Sequence, residues 1–222
     1  MTGIAPAFDL ANLTGLVTFD NMTLDAFRNK ISPIIDPLAL GLYKFGFRPN
    51  QLSGVSLVSA VIAGFSFYLN FLPLAVIATA SNALFDGLDG PLARISDSAS
   101  RRGDLVDHVI DRYSDIFIIG GIFFGGFVSW QIGTIALVGI LMTSYLGTQA
   151  QALGIGRNYG GILGRADRLV IIFIVGVLNI IYPAKIVWFP LLGWMMVVFA
   201  VVSNFTAFQR FHAALRELNS KT

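Results

Sequence analysis

Long apolar stretches separated by short polar connections dominate the chain. Six of them have about the 20 mostly apolar residues that a helix needs to cross a bilayer. They cover approximately residues 50–71, 73–95, 104–128, 131–153, 165–182 and 188–208. This pattern predicts an all-α integral membrane protein with six transmembrane helices. We place the six-span domain at residues 49–215 and a short tail at residues 216–222.

The segment before the first span has a different pattern. Between residues 24 and 47, apolar residues recur at helical spacing opposite basic ones, which predicts an amphipathic juxtamembrane helix over residues 22–48. An ordinary short connecting helix is the alternative. We expect Pro33 and Pro37 to break or kink this helix. Residues 1–21 lack a strong periodicity and the basic start of a signal peptide, so we expect a tail there.

Composition supports a membrane protein. The chain is 55% hydrophobic, has a mean hydropathy of +0.72 and is only 13% charged, whereas a soluble domain is about 25% charged. Nothing predicts a nucleic-acid partner. The absence of cysteine excludes disulfides, thiolate catalysis and cysteine metal sites.

The basic residues are distributed unequally between the two sides of the predicted spans. Fourteen of the fifteen Lys and Arg residues fall on one side, and Lys185 is the exception. Because positive loops stay in the cytoplasm, we predict a multi-pass cell-membrane protein with both termini and its acidic residues at the cytoplasmic face.

Four aspartates stand where apolar residues are expected. Asp86 and Asp89 are three residues apart, and Asp107 and Asp111 are four apart, so each pair shares one helix face. Ionised groups at bilayer depth are retained where they pair, hold ions or perform chemistry. Four carboxylates on two helices predict a site for divalent cations, with two Mg²⁺ or Mn²⁺ ions sharing ligands. Such a pair suits phosphoryl transfer.

At these residues the chain resembles the CDP-alcohol phosphotransferase family. The family signature is D-x-x-D-G-x-x-A-R, eight residues, then G-x-x-x-D-x-x-x-D. Every interval is correct at Asp86, Asp89, Gly90, Ala93, Arg94, Gly103, Asp107 and Asp111. The resemblance implies an enzyme that transfers the phospho-group of a CDP-linked lipid or alcohol to an acceptor alcohol and releases CMP.

The resemblance also implies roles for individual residues. Asp86, Asp89 and Asp107 are expected metal ligands, and Asp111 is expected to be both a ligand and the proton acceptor for the acceptor hydroxyl. A further set is expected to contact the CDP-lipid: Asn50, Ser53, Gly90, Ala93, Arg94, Ser100 and Gly103. For Asn50, a helix N-cap is the alternative.

The acceptor is indicated by a later stretch, residues 144–171, which is similar to the phosphatidylinositol phosphate synthase branch of the family. That branch has Lys and Arg where this chain has Gly147 and Gln149. These departures fit an archaeal member that uses CDP-archaeol, with CDP-diacylglycerol as the other donor. We expect inositol phosphate as acceptor, its phosphate bound by Arg157, Arg165, Arg168 and Arg210. Alternatively, these arginines only set the topology.

Other functions remain open at this stage. Within the class, glycerol 3-phosphate would use the same arginines, and serine would not call for a cation cluster. Intramembrane prenyltransferases have widely separated aspartate pairs in longer chains, and a cation transporter would not need Gly90, Arg94 or Gly103.

Relatives of the family imply a homodimer. We expect Asp104 and Asp115 to pair with neighbouring arginines (Arg101, Arg102 or Arg112) and His108 not to bind metal.

Overall fold

The computed structural model describes residues 28–155 and 163–221, and in these ranges the chain forms seven helices and no β-sheet. In chain order they are α1 (Arg28–Lys44), α2 (Pro49–Tyr68), α3 (Leu72–Ile95), α4 (Arg101–Phe124), α5 (Trp130–Ala152), α6 (Arg165–Ile181) and α7 (Leu191–Lys221). The all-α prediction is confirmed.

The helices α2 to α7 correspond to the six predicted spans, but not all of them have the composition of a span. Three are long and apolar enough to cross a membrane: α2, α5 and the part of α7 up to Asn219. The 17-residue α6 is short, and the first half of α4 is rich in charged side chains. The helices therefore support a membrane protein, while six crossings remain a prediction.

Several helix ends differ from the prediction by three or more residues. The last helix begins at Leu191 rather than at residue 188, because Ile186 and Phe189 pair across a turn that Pro190 follows. It continues to Lys221, through the segment expected to be a tail. At the other end, α1 is continuous through Pro33 and Pro37, so neither proline ends it. The predicted tail at residues 1–21 lies outside the described residues, as do residues 22–27.

Close packing of α2 against α4 forms the centre of the molecule. A Cβ atom at Gly121 would collide with the backbone carbonyl of Gly64, and one at Gly125 with that of Phe67. Glycine at positions 121 and 125 therefore allows the backbones of α2 and α4 to come into contact. Helix α3 packs against α2, α6 packs on α3, and α5 packs against α7.

A buried amide links α3 and α4, which carry the acidic residues, to α2. The Asn82 side chain of α3 donates to the carbonyl of Ser56 at 3.0 Å, to Ser56 Oγ at 2.8 Å and to Ser114 Oγ at 3.4 Å. Because a buried amide without partners is costly, this network favours a single register of α2, α3 and α4. Asp86 lies one helical turn beyond Asn82.

Helix α1 packs across one end of α3. Its Ala39 is fully buried and clusters with Leu52 of α2 and with Leu88 and Leu92 of α3. Other apolar side chains of α1, such as Leu38 and Leu40, are exposed. The buried contacts of α1 bring its end close to the signature residues.

Candidate active site

The end of α3 and the start of α4 bring the predicted aspartates together. Ligand oxygens of Asp86, Asp89 and Asp107 all lie within 4.8 Å of one another. Asp111 follows one turn along α4 and is buried, as is Asp89. The helical spacing of each pair thus gives one cluster of four carboxylates.

Ser53 of α2 supports this cluster from the side. Its Oγ donates a hydrogen bond of 2.9 Å to Asp89 Oδ2, and the contact is buried. The sequence analysis places Ser53 among the CDP-lipid contacts. The structure adds a contact to a predicted metal ligand, so the serine hydroxyl also orients that carboxylate.

Arg165, the first residue of α6, inserts its guanidinium into the cluster. Its Nη1 forms ion pairs with Asp86 Oδ2 and, at 3.0 Å, with Asp111 Oδ1. The Nε of the same side chain lies 3.9 Å from Asp115 Oδ1. One of the arginines expected to bind the acceptor phosphate therefore lies directly beside the predicted proton acceptor.

Asp115 and Arg168 form a buried ion pair behind Arg165. Arg168 Nη2 donates to Asp115 Oδ2 at 2.9 Å, and the two residues are 2% and 4% exposed. The expectation that Asp115 pairs with Arg101, Arg102 or Arg112 is wrong, because its partners come from α6. Arg112 instead lies 3.9 Å from Asp111 Oδ2.

His108 lies beside the cluster rather than away from it. It is 3.7 Å from Asp104 and 3.9 Å from Asp107. Together with Asp107 and Asp111 it has the spacing of a second possible ligand group. We expected no metal role for His108, because it is off the aspartate stripe of α4, but its ring reaches the carboxylates of Asp104 and Asp107.

A cavity of about 900 Å³ opens beside the carboxylates. Asp89 and Asp107 form its inner wall, and all seven residues expected to contact the CDP-lipid line it: Asn50, Ser53, Gly90, Ala93, Arg94, Ser100 and Gly103. The side chain of Ser100 also caps α4 by accepting from the Gly103 N–H at 3.1 Å. The N-cap alternative for Asn50 is not observed, since Arg48 is the N-cap of α2.

The cavity also contains residues that the sequence analysis did not assign to it. Tyr43, at the end of α1, and Phe47 and Arg48, in the connection to α2, line the wall. Their position directly before the Pro49-Asn50 pair was the available signal. From the sequence we expected that segment to be an amphipathic juxtamembrane helix or a short connecting helix, and assigned none of its residues to the cavity.

Another of the predicted arginines, Arg210, contacts a different part of the molecule. Arg210 of α7 donates from Nη1 to the carbonyl of Thr143 in α5 at 2.8 Å. Arg157 is outside the described residues. Of the four predicted acceptor residues, only Arg165 and Arg168 are therefore seen next to the carboxylates within the described ranges.

The donor set fits a hard divalent cation. It consists of partly buried carboxylate oxygens within a few ångströms of one another, and no thiolate ligand is possible because the chain has no cysteine. The guanidinium of Arg165 among these carboxylates shows that the cluster accommodates positive charge. The residues thus fit divalent-cation binding.

Comparisons with known proteins identify the same chemistry. Residues 47–210 match the profile of the CDP-alcohol phosphatidyltransferase family. The chain is 34% identical over 195 residues to an archaetidylinositol phosphate synthase of Pyrococcus horikoshii, covering 88% of this chain and 98% of the relative. It is 30% identical over 198 residues to a phosphatidylinositol phosphate synthase of Mycobacterium tuberculosis, covering 83% of this chain and 87% of that protein.

Solved structures agree in fold. The crystal structure of the M. tuberculosis phosphatidylinositol phosphate synthase with CDP-DAG bound superposes with a TM-score of 0.68 at 27% identity, covering 82% of this chain and 94% of that one. The same enzyme in complex with manganese and citrate gives a TM-score of 0.69, again at 27% identity, with coverages of 82% and 88%. A relative thus takes a divalent cation on this fold.

Proposed function

This chain belongs to the CDP-alcohol phosphatidyltransferase family, and we propose that it transfers the lipid phosphate of a CDP-lipid to a hydroxyl of inositol phosphate, releasing CMP in phospholipid biosynthesis. The donor is CDP-archaeol or CDP-diacylglycerol. The names of the relatives support this reaction, because archaeal and bacterial proteins similar over most of the chain are inositol phosphate lipid synthases.

One observation carries the proposal. Two of the four clustered signature carboxylates, Asp89 and Asp107, line a cavity that all seven expected CDP-lipid residues also line, and Arg165 enters the same cluster from α6. A CDP-lipid bound in the cavity would have its diphosphate beside the carboxylates. An acceptor phosphate near Arg165 would hold its hydroxyl at the same place.

The chemistry follows from this arrangement. The acceptor oxygen forms a bond to the phosphorus that carries the lipid alcohol, and the bond between that phosphorus and the oxygen bridging to CMP breaks. The hydroxyl proton goes to the carboxylate of Asp111, which we assign as general base. CMP leaves with the bridging oxygen as its phosphate.

Asp86, Asp89, Asp107 and Asp111 would hold two Mg²⁺ or Mn²⁺ ions. When bound, such a pair neutralises the diphosphate and stabilises the charge on the attacking and leaving oxygens. Ser53 keeps Asp89 oriented through its hydrogen bond. In the cavity, Arg94 supplies a forked donor for phosphate, and Gly90 and Ala93 leave room for the nucleotide.

We assign acceptor binding to Arg165, supported from behind by the buried Arg168, with Arg157 and Arg210 as further candidates. Inositol phosphate carries a phosphate away from the reacting hydroxyl, and a cation beside Asp111 holds that phosphate while the hydroxyl faces the base. Arg165 has this position.

The membrane arrangement completes the proposal. We propose six crossings by α2 to α7, both termini and the active site at the cytoplasmic face, and a homodimer. The distribution of Lys and Arg supports the orientation. Soluble inositol phosphate and the CDP head group would meet at this face.

An acceptor competition assay tests the function. Purified protein is incubated with CDP-lipid, Mg²⁺ and equal concentrations of radiolabelled inositol phosphate, glycerol 3-phosphate and serine, in separate and mixed reactions. We expect lipid product and CMP from inositol phosphate. Product from glycerol 3-phosphate or serine, and none from inositol phosphate, would overturn the acceptor. Absence of CMP with every acceptor would overturn the reaction class.

A further inference from the structure

Asp115 continues the acidic stripe of α4 but has a different environment from the signature residues. It follows Asp111 at the same four-residue interval that separates Asp107 from Asp111. Its spacing alone would make it a fifth metal ligand. In the structure, however, both of its oxygens face arginines of α6 rather than the other carboxylates.

We propose that Asp115 is a positioning residue that holds the Arg165 guanidinium at the acceptor side of the active site. This inference rests on the proposed function, since it assigns Arg165 to the acceptor phosphate. It goes beyond the family signature, which ends at Asp111.

Two nitrogens of the Arg165 guanidinium face different carboxylates. Its Nη1 contacts Asp86 and Asp111, both of which are expected metal ligands. Its Nε faces Asp115 Oδ1 at 3.9 Å. Of the three carboxylates that Arg165 pairs with in the described residues, Asp115 is thus the one that is not an expected metal ligand.

The hydrogen-bond donors of the Arg165 guanidinium are only partly satisfied by the described residues. Within the described part of the chain, Arg165 Nε and Nη2 are buried without a hydrogen-bond partner. A buried donor in this state costs about 1–3 kcal/mol. A movement of Arg165 of about 1 Å toward Asp115 would bring Nε to the length of a charge-assisted bond. Asp115 can therefore retain Arg165 when cations take Asp86 and Asp111, leaving Nη2 for a phosphate oxygen.

The ion pair with Arg168 holds Asp115 in a fixed position. Its other oxygen, Oδ2, accepts from Arg168 Nη2 at 2.9 Å, and this pair is almost fully buried. The ion pair joins α4 to α6 and fixes the rotamer of Asp115. Arg168 then acts on the acceptor through Asp115 and Arg165 rather than by touching it.

The test uses purified full-length Asp115→Asn, which keeps the size of the side chain and removes its charge. We expect the KM for inositol phosphate to rise about tenfold or more, the loss expected for one charge-assisted hydrogen bond. The KM for CDP-lipid and the Mn²⁺ affinity, measured by electron paramagnetic resonance, should change less than about twofold. A purely structural role would not separate these quantities.

Two results would overturn the inference. A weaker Mn²⁺ affinity would make Asp115 a metal ligand, and an unchanged KM for inositol phosphate in an active variant would make the ion pair structural only. The second variant is Asp115→Glu, which keeps the charge but displaces it, and should raise the same KM by a smaller factor. If Asp115→Asn does not fold, the comparison of Asp115→Glu with wild type tests the inference by itself.

The wild-type protein separates this inference from the proposed function. If wild type makes no product from inositol phosphate, the proposed acceptor fails. The same KM comparison then uses the phosphorylated acceptor that wild type does turn over. The Mn²⁺ measurement does not depend on the acceptor.

Discussion

Ser53 of α2 donates a buried hydrogen bond of 2.9 Å to Asp89 Oδ2 of α3, across 36 positions in sequence. This contact joins α2, whose first residues line the cavity, to the first pair of carboxylates. A serine hydroxyl that orients a metal-binding carboxylate is a second-sphere contact, and such contacts typically affect metal affinity or activity about 10–100-fold.

We therefore expect Ser53→Ala to weaken the apparent affinity for Mn²⁺ by about tenfold. The measurement is the Mn²⁺ dependence of CMP release at saturating substrates. Ser59→Ala, the same substitution on a buried serine of the same helix, is the matched control and should retain the wild-type Mn²⁺ dependence. Equal Mn²⁺ affinities in the two variants would contradict the role of Ser53.

Asp111→Asn should lower turnover by about 10²–10⁴-fold, because the amide cannot accept the proton of the acceptor hydroxyl. Binding of CDP-lipid should persist, since the cavity wall is formed by Asp89 and Asp107 rather than Asp111. CMP release and equilibrium binding of CDP-lipid are measured on the same preparation. Asp36→Asn, an exposed aspartate of α1, should behave as wild type. Turnover above a tenth of wild type would remove the base assignment.

Arg94→Ala should raise the KM for CDP-lipid by about 10–100-fold, the loss expected for a charged hydrogen bond to phosphate. Arg94 lines the cavity, whereas the exposed Arg102 at the start of α4 does not. Arg102→Ala is therefore the control for removal of one positive charge nearby. Initial rates over a range of CDP-lipid concentrations, at saturating inositol phosphate, distinguish the two. A similar change in both variants would point to a general charge effect.

The carboxylate cluster could be predicted from sequence because each pair is local. Intervals of three and four residues place Asp86 with Asp89, and Asp107 with Asp111, on one face of any helix. The seven expected cavity residues, among them Asn50 and Gly103, also line one cavity, because they flank those pairs or begin the neighbouring helix.

The contacts of α6 could not be predicted in this way. Arg165 meets Asp86 across 79 positions and Arg168 meets Asp115 across 53. No helical interval relates such residues, so only the packing of α6 on α3 decides which arginine reaches which carboxylate. The rule that charges pair with near neighbours gave Asp115 the wrong partners. Tyr43 could not be predicted either, because only the packing of α1 against α3 brings this residue to the cavity.

Gly121→Ala should destabilise the protein, because its methyl group would overlap the carbonyl of Gly64 and force α2 away from α4. Overpacking of this kind costs about 1–3 kcal/mol. Gly120→Ala is the matched control, since a Cβ there meets no atom within 4 Å and alanine favours the helix. Thermal unfolding of both variants in the same detergent measures the difference as an apparent Tm. We expect a clear decrease for Gly121→Ala and none for Gly120→Ala. Equal Tm values would mean that α2 and α4 are not in backbone contact at this point, and that something other than their close packing brings Ser53 to Asp89.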